Sequence, residues 1–589
     1  MAKMKPLRST RDFVERLQAH GELLVIDQEV NPYLELAEIQ REVCRRKGPA
    51  LLFTNVSGTP FSVATNLYGS TGRIELAFGG EPAKFVKNAA HLAQNLMPIN
   101  KSKMAKIADL GLKGLKIGLK RKKSGPIFDN CFDPVDLSQI PQLHSWPEDG
   151  GAFVTLPLVY TESPSTGKGN LGMYRIQLFN QNTTGMHIQI HRGGGYHHHE
   201  AELKSQALPA RVIIGGPPAL TIAAVAPLPE DMPEFVFASL LMGEKLKVGT
   251  DELGIDIPLD ADFCISGSIP AHKRKPEGPF GDHYGYYSLQ HDYPYLEVSK
   301  LNFRKGAIYP ATVVGRPPQE DHYIAEYLQE ILEPMFPLVM PNVRQIWAFE
   351  ESGVHSLAGA VVKNRYPKEA FTAAIRILSE GQLSLTKFLI ATDQDIQAKD
   401  FKSLITTVLE RADLERDLFV LSNISQDTLD YTGPKVNEGS KAILLGLGEK
   451  KRDLYDKECE SLQNTNLSKT KLFCRGVLLV QGCKYEMQPA LAEELAKENA
   501  VQNYAMVCMV DDVNEAAKSA EDFIWHVFTR FEPAGDMYGN KVHERFHTGI
   551  KGPLVIDCRM KPTYPRELTE DPDVTKLVQE KFGTIFDKM

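Results

Sequence analysis

Six stretches of this chain carry side chains whose types and spacing could do chemistry. Gly169-Asn-Leu-Gly-Met-Tyr-Arg175 joins Asn170, a neutral oxygen ligand, to Arg175, a permanent cationic fork matched to a carboxylate. The same letters also suit an ordinary turn leading into a strand. Met186-His-Ile-Gln-Ile-His-Arg-Gly-Gly-Gly195 alternates polar and apolar residues, which predicts a strand with His187, Gln189 and His191 on one face. It closes with Arg192 and three glycines. Glycine lets backbone N–H groups approach a phosphate while the guanidinium neutralises it, although a solvent-facing strand and glycine turn fits equally well. His197-His-His-Glu200 invites a metal, but neighbouring strand residues point to opposite faces, so a solvated loop is the expectation. Glu234 opens an apolar helix after Pro233, where a carboxylate is favourable on electrostatic grounds alone.

The fifth stretch, Pro276-Glu-Gly-Pro-Phe-Gly-Asp-His-Tyr-Gly-Tyr-Tyr287, is the most informative. Glu277 and Asp282 are held apart by Gly-Pro and Gly, which forbid a regular helix, and aromatic residues follow at once. If both carboxylates face an apolar pocket, repulsion and desolvation should raise at least one pKa and supply a proton donor near neutral pH. The sixth, Val314-Gly-Arg-Pro-Pro-Gln-Glu-Asp321, reads as a rigid turn with a charge pair.

These residues need elements to hold them. Near the start, Ser9-x-x-Asp12 resembles a capping box ahead of Phe13, Val14 and Leu17, and Gly21 stops that helix. A strand over 23–26, a helix over about 34–46 and a strand over 51–53 follow, a small α/β unit. Residues 101–123 carry nine Lys or Arg and one acid, Asp109. They read first as a solvated linker or helix face, and second as a basic arm for an anionic membrane surface or phosphate. From 126 to 333 short β-rich runs (153–156, 174–179, 212–214, 220–225) punctuated by Gly and Pro predict an antiparallel barrel or sandwich. From 334 the pattern returns to alternating strands and helices. There the segments at 359–363, 387–395 and 439–441 have counterparts at 476–481, 504–512 and 549–551, an apparent duplicated α/β unit. The expected fold is thus α/β plus β. Its expected parts are an N-terminal α/β domain (1–125), a central barrel (126–333), a C-terminal α/β domain (334–470) and an additional unit with a tail (471–589).

Composition narrows the function. In 589 residues, Lys+Arg is 67 against Asp+Glu 75, a net charge of −8, which argues against a general nucleic-acid binder. Eight scattered cysteines without CxxC spacing read as buried thiols of a reducing compartment. The richest apolar stretch, 212–228, is broken by Gly215-Gly-Pro-Pro218 and too short to span a bilayer, and the N-terminus shows no apolar signal core. A cytoplasmic protein is expected, with 101–123 as the segment that could meet the inner membrane.

Taken in order, the motifs resemble the UbiD family of decarboxylases, which use prenylated FMN. The matching residues are Asn170-Leu-Gly-Met-Tyr-Arg175, Ile190-His-Arg-Gly193, Pro227-Leu-Pro229 through Glu234, Glu277-Gly-Pro-Phe-Gly-Asp282, Gly315-Arg-Pro-Pro318 and Lys387-Phe-Leu-Ile-Ala391 with Asp393 and Asp395. The resemblance implies an FMN-binding split barrel. In it Asn170, His191 and Glu234 hold Mn²⁺ or another divalent ion, with K⁺ as an optional second ion. Met173, Tyr174, Arg175, Ile188, Gln189, Arg192, Gly193 and Lys441 would line the modified flavin. Arg175, Glu277 and Asp282 would be catalytic: the arginine pairs with Glu277 and positions the substrate carboxylate, and Asp282 delivers a proton, relayed with Glu277. The resemblance also implies an aromatic acid substrate, a flavin prenyltransferase as cofactor supplier, and a homo-oligomer, dimer or hexamer. Within the family, Ile140-Pro-Gln-Leu-His-Ser-Trp146 and Thr184-Gly-Met-His187 look like the long menaquinone-pathway branch acting on a dihydroxynaphthoate. The alternative is the 4-hydroxy-3-polyprenylbenzoate reaction of ubiquinone synthesis. Two readings of other classes are a zinc hydrolase built on His191 and His197–His199, and a non-catalytic flavin-binding scaffold.

Overall fold

The computed structural model describes residues 5–95, 101–188, 193–228, 232–459, 462–544, 547–587 and 589. The chain forms two compact units: Met1–Ile331 with Glu567–Met589, and Leu332–Arg566. The first two expected domains therefore share one unit. The reason is visible in the sheet that opens the chain. Strands Leu23–Ile26, Ala50–Phe53 and Ser62–Thr65 are completed by Ile308–Pro310, which pairs in parallel with Ser62–Thr65. The last helix, Pro572–Phe586, also returns here, burying Val578, Phe582 and Phe586 in the core that holds Leu36, Ile39 and Val43.

The short local elements follow their sequence signals. Ser9 caps the helix Thr10–Ala19 by accepting the Asp12 N–H, and the buried face is Phe13, Val14 and Leu17. The helix Glu35–Arg45 and the strands either side of it lie where the periodicity predicts.

The central sheet has nine strands. Its path runs Ala152–Val154, Ile176–Asn180, Thr183–Gly185, Tyr295–Phe303, Phe263–Ile269, Leu208–Ile214, Pro157–Glu162, Gly169–Met173, with Asn130–Phe132 beside Tyr295–Phe303. Every pairing along that path is antiparallel. The last strand of the path and the second are consecutive in the chain, with only Tyr174 and Arg175 between them. Two residues cannot cross a flat sheet of this width, so the sheet must curl until its ends meet, a split barrel. Tyr174 and Arg175 sit at that seam.

Four local expectations are corrected. Residues 174–179 are not one strand, because the seam interrupts them. Residues 220–225 are helical within Pro218–Val225, where Pro at the first turn and three alanines favour a helix over a strand. His197–Glu200 lies in the helix Gly193–Leu203, with His197 and His198 buried, not in a solvated loop. The strand expected over 186–191 ends at Gly185; His187 and Ile188 follow it outside any strand, and Gln189, His191 and Arg192 lie outside the described residues. Residues 101–123 comprise the helix Lys101–Gly114 and the strand Leu119–Arg121. Among the described residues no helix is long and apolar enough to cross a membrane. All eight cysteines are free, but only Cys264, Cys508 and Cys558 are buried, and Cys131 is exposed.

The second unit holds two five-stranded sheets. One has the order Val343–Ala348, Leu357–Val362, Phe388–Thr392, Glu438–Gly446, Leu418–Ser425; the other Leu467–Cys474, Val477–Gly482, Met506–Val510, His547–Asp557, Met537–Glu544. In each, both outer pairings are antiparallel and both inner pairings parallel. Leu357–Val362 and Met506–Val510 read as unbroken apolar runs and are buried throughout, as strands covered on both faces are. Phe388, Phe401, Phe523 and Phe528 belong to one core shared by the two sheets.

Candidate active site

The barrel seam delivers Arg175 to a point where two other stretches converge. Glu277 ends the strand Lys275–Glu277, which is zipped to His291–Tyr293. Gly278 then takes φ +92°, a turn that a side chain would oppose, and its N–H is accepted by Gln177 Oε1 at 2.9 Å. Phe280–Gly281 pairs with Tyr287–Ser288, and the turn Asp282–Gly285 closes with Gly285 N–H donating to the Asp282 carbonyl at 2.9 Å. A Cβ on Gly281 would overlap the Trp146 ring, whose indole N–H donates to the Val314 carbonyl at 2.8 Å. The stretches around 146, 281 and 315 thus lock around one indole, and Arg41 lies over its other side, 4.3 Å from the ring centre.

The result is a buried charge triad. Arg175 Nε and Nη2 donate to the two oxygens of Glu277, each at 2.9 Å, and Nη1 donates to Asp282 Oδ2. Glu277 is fully buried, and Arg175 and Asp282 nearly so. Phe280 sits under the guanidinium at 5.0 Å and stacks near Phe153, so the centre has an apolar wall. Two histidines that the sequence reading leaves out of the site complete it. His187 Nδ1 lies 3.2 Å from Glu277 Oε2, and His283 Nδ1 2.7 Å from Asp282 Oδ1. His283 had a signal, since it follows Asp282 directly. His187 had a signal only as one face of the 186–195 stretch, and the fold alone brings it to Glu277.

Electrostatics here overturn the expectation of a raised carboxyl. Burial alone would raise Glu277, but the charge of Arg175 with hydrogen bonds from His187 and Arg175 holds it down at about 2. Burial opposes ionisation of Asp282 as well, yet the hydrogen bond and charge of His283, followed by Arg175, hold it well below the usual carboxylate range. His187 is kept neutral by burial and then by the nearby guanidinium. One planar fork between two carboxylates turns their repulsion into shared attraction. Asp149 behaves as the sequence led one to expect of the others: burial lifts it to about 6, although it accepts N–H groups of Gly281, Trp146 and Ser145.

A second group of the anticipated residues gathers on Gly169–Met173. Glu234, first residue of the helix Glu234–Met242, accepts the Leu171 N–H at 3.1 Å, and burial raises its carboxyl. Asn170 Nδ2 is buried with no hydrogen-bond partner. A Cβ on Gly193 would overlap the Asn170 side chain, so only glycine lets these backbones approach. Tyr174 packs its ring on Gly194 and accepts the Gly194 N–H at 3.3 Å. Met173 is half-buried and Ile188 buried. An orphaned amide, a desolvated carboxylate and a glycine cradle are what a bound cation with an anionic group would satisfy, so these residues fit the implied pair. Among the described residues there is no cluster of three His, Cys, Asp or Glu side chains able to hold a metal. His197 contacts Thr161 Oγ1 on the strand Pro157–Glu162 at 2.9 Å, His198 lies 3.8 Å from Glu202 on its own helix, and His199 is exposed.

Lys441 lies in the second unit, on the strand Glu438–Gly446. It is buried and donates to the Thr386 carbonyl at 3.0 Å. Burial pushes its amine down to about 8.

The chain is similar in sequence and in fold to known proteins. Residues 14–93, 119–317 and 322–446 match, in turn, the N-terminal, Rift-related and C-terminal domains of 3-octaprenyl-4-hydroxybenzoate carboxy-lyase. A Chlamydia pneumoniae protein, named as one of the subunits of a 4-hydroxybenzoate decarboxylase, is 44% identical over 578 residues, covering 98% of each chain. The closed form of the vanillic acid decarboxylase of Sedimentibacter hydroxybenzoicus superposes with TM-score 0.67 at 22% identity, covering 78% of this chain and 96% of that one. An evolved dimeric form of HmfF from Pelotomaculum thermopropionicum, in complex with prFMN, gives TM-score 0.61 at 19% identity, covering 76% and 97%.

Proposed function

The chain belongs to the UbiD family of carboxy-lyases, and on that premise we propose that it decarboxylates an aromatic acid with prenylated FMN. The observation that carries this reading is the convergence of Arg175, Glu277 and Asp282 beside an orphaned Asn170 and a buried Glu234. In the proposal Asn170 and Glu234, with His191, would hold Mn²⁺ or a like divalent ion, which would supply positive charge for the anionic part of the cofactor. Met173, Tyr174, Ile188, Gln189, Arg192, Gly193 and Lys441 contact the rest of the cofactor. When bound, the modified flavin serves as the electron sink for the bond to CO₂.

The chain's own residues then manage charge. Before substrate arrives both carboxylates are ionised on Arg175, so neither is a resting acid. A substrate carboxylate reaching Arg175 competes for the fork and adds a like charge nearby, which raises Glu277 and Asp282 together. One of them thereby takes up the proton that Asp282 returns to the carbon vacated by CO₂, with Glu277 and His187 as the relay behind it. Departure of neutral CO₂ restores the paired triad.

For the substrate, the wording around Trp146 and Thr184–His187 supports a dihydroxynaphthoate of menaquinone synthesis. A second reading, 4-hydroxybenzoate or its polyprenyl form, is favoured by the name of the chlamydial relative. The common topology of the two sheets in the second unit supports reading one as a repeat of the other. A flavin prenyltransferase would supply the cofactor, and a homo-oligomer is the expected assembly.

The test is to produce the protein with a flavin prenyltransferase and measure absorbance, metal content and CO₂ release from a naphthoate, a 4-hydroxybenzoate and its prenylated form. The expected result is CO₂ from one class. Bound cofactor with no CO₂ from any of them rejects the proposal.

A further inference from the structure

The helix Lys101–Gly114 carries an apolar stripe that its own unit leaves uncovered. At 100° per residue Met104, Ile107, Ala108 and Gly111 fall on one face, continued by Leu115 one residue past the helix, with Leu112 adjoining. Met104 is 61% exposed, Ile107 41%, Leu112 66% and Leu115 70%. Elsewhere among the described residues exposed large apolar side chains occur singly or in pairs. Lys106 and Lys113 lie exposed on the opposite side, and Lys116, Lys120, Arg121, Lys122 and Lys123 follow, all exposed. Over 101–123 nine basic residues face one acid in a chain whose net charge is −8.

We propose that this segment docks the protein on an anionic lipid bilayer. Apolar side chains enter the headgroup boundary and the flanking basic groups meet lipid phosphates. The charge argues for this occupant. A second copy of the chain packed symmetrically on the same face would bring two basic patches together, whereas an anionic surface complements one. A purely solvated face accounts for the lysines but not for four exposed apolar side chains among them. The far end of the segment is fastened to the body: the strand Leu119–Arg121 pairs in parallel with Leu246–Thr250, and Arg121 is bound to Asp256 at 2.6 Å. Docking the segment therefore holds its whole unit at the surface. The inference is independent of which acid is decarboxylated.

Sedimentation of the full-length protein with phosphatidylcholine vesicles, with and without phosphatidylglycerol, tests it. Binding is expected only to the anionic vesicles and should fall with added salt. Removing the charges of Lys113 and Lys116 by K113Q/K116Q should weaken it by roughly fivefold per charge. I107S/L112S/L115S should abolish it while leaving the melting temperature unchanged, since those side chains are exposed. Equal sedimentation with both vesicle types, or indifference to both variants, overturns the proposal. So does wild-type protein that ignores vesicles but loses an oligomer, by light scattering, in the serine variant.

Discussion

Each unit of this protein buries a small cluster of opposite charges, and the two clusters treat their members differently. In the barrel unit one guanidinium serves both Glu277 and Asp282, and both carboxylates stay ionised far below their usual range. In the second unit Lys387 takes Asp430 at 2.8 Å, while Lys441 donates to the Thr386 carbonyl at 3.0 Å and is pushed down to about 8 by burial. With Asp427, whose charge also acts on Lys441, the second cluster has two cations to two acids, so counting charges would rank it as better balanced. Geometry decides otherwise: the planar fork of Arg175 reaches both acids directly, whereas Lys387 donates to Asp430 and Thr432 while Lys441 donates to a neutral carbonyl.

Removing the fork is the strongest way to break the comparison. R175M leaves two buried carboxylates facing each other, and urea unfolding at neutral pH should show a loss of about 3–5 kcal/mol, together with loss of CO₂ release. The deficit should shrink in acid, where the abandoned carboxyls protonate. Next, D282N keeps the shape of the site and should lower CO₂ release by about 10²–10⁴-fold with cofactor still bound by absorbance. A drop of less than tenfold would remove Asp282 from the proton path.

The pH dependence of stability sharpens the contrast because the two clusters have opposite windows. Glu277 is depressed from 4.5 to about 2, so its contribution is fully present above 4.5 and disappears as pH falls towards 2. That contribution is about 3 kcal/mol, and E277Q should flatten this limb of the stability profile. Lys441 is depressed from 10.5 to about 8, so between those values the unfolded chain keeps a proton that the folded chain has released. Stability should therefore climb with pH across that range. K441M should remove the climb and stabilise the protein at neutral pH by about 3 kcal/mol. A K441M protein less stable than wild type would mean that the lysine is paired in a way this geometry lacks.

Much of the local structure was legible. Ser9 before Asp12 marked a helix start, and the segments at 359–363, 387–395 and 504–512, read as parts of an alternating strand-and-helix pattern, fall on or around the strands Leu357–Val362, Phe388–Thr392 and Met506–Val510, because hydrogen bonding and burial act over a few residues. Arg175, Glu277 and Asp282 could be named as candidates from side-chain chemistry and order. Their protonation could not. The expectation of a raised carboxyl failed because it weighed repulsion and desolvation of two residues five apart and left out the field of Arg175, although the resemblance implied that Arg175 pairs with Glu277. Residues 220–225 misled for the same kind of reason, since an apolar run of six suits a strand or a buried helix until its neighbours are known.

By itself the amino-acid sequence determined which side chains could bind a carboxylate, hold an ion or carry a proton, and which short segments would coil or extend. Only the tertiary structure decided that a two-residue seam closes the sheet, that Trp146 gathers three distant turns, and that His187 backs Glu277. Side-chain type and nearest-neighbour backbone preference are local properties. Burial, the field at a carboxylate and the sharing of one guanidinium are set by groups that meet only when the chain has closed on itself.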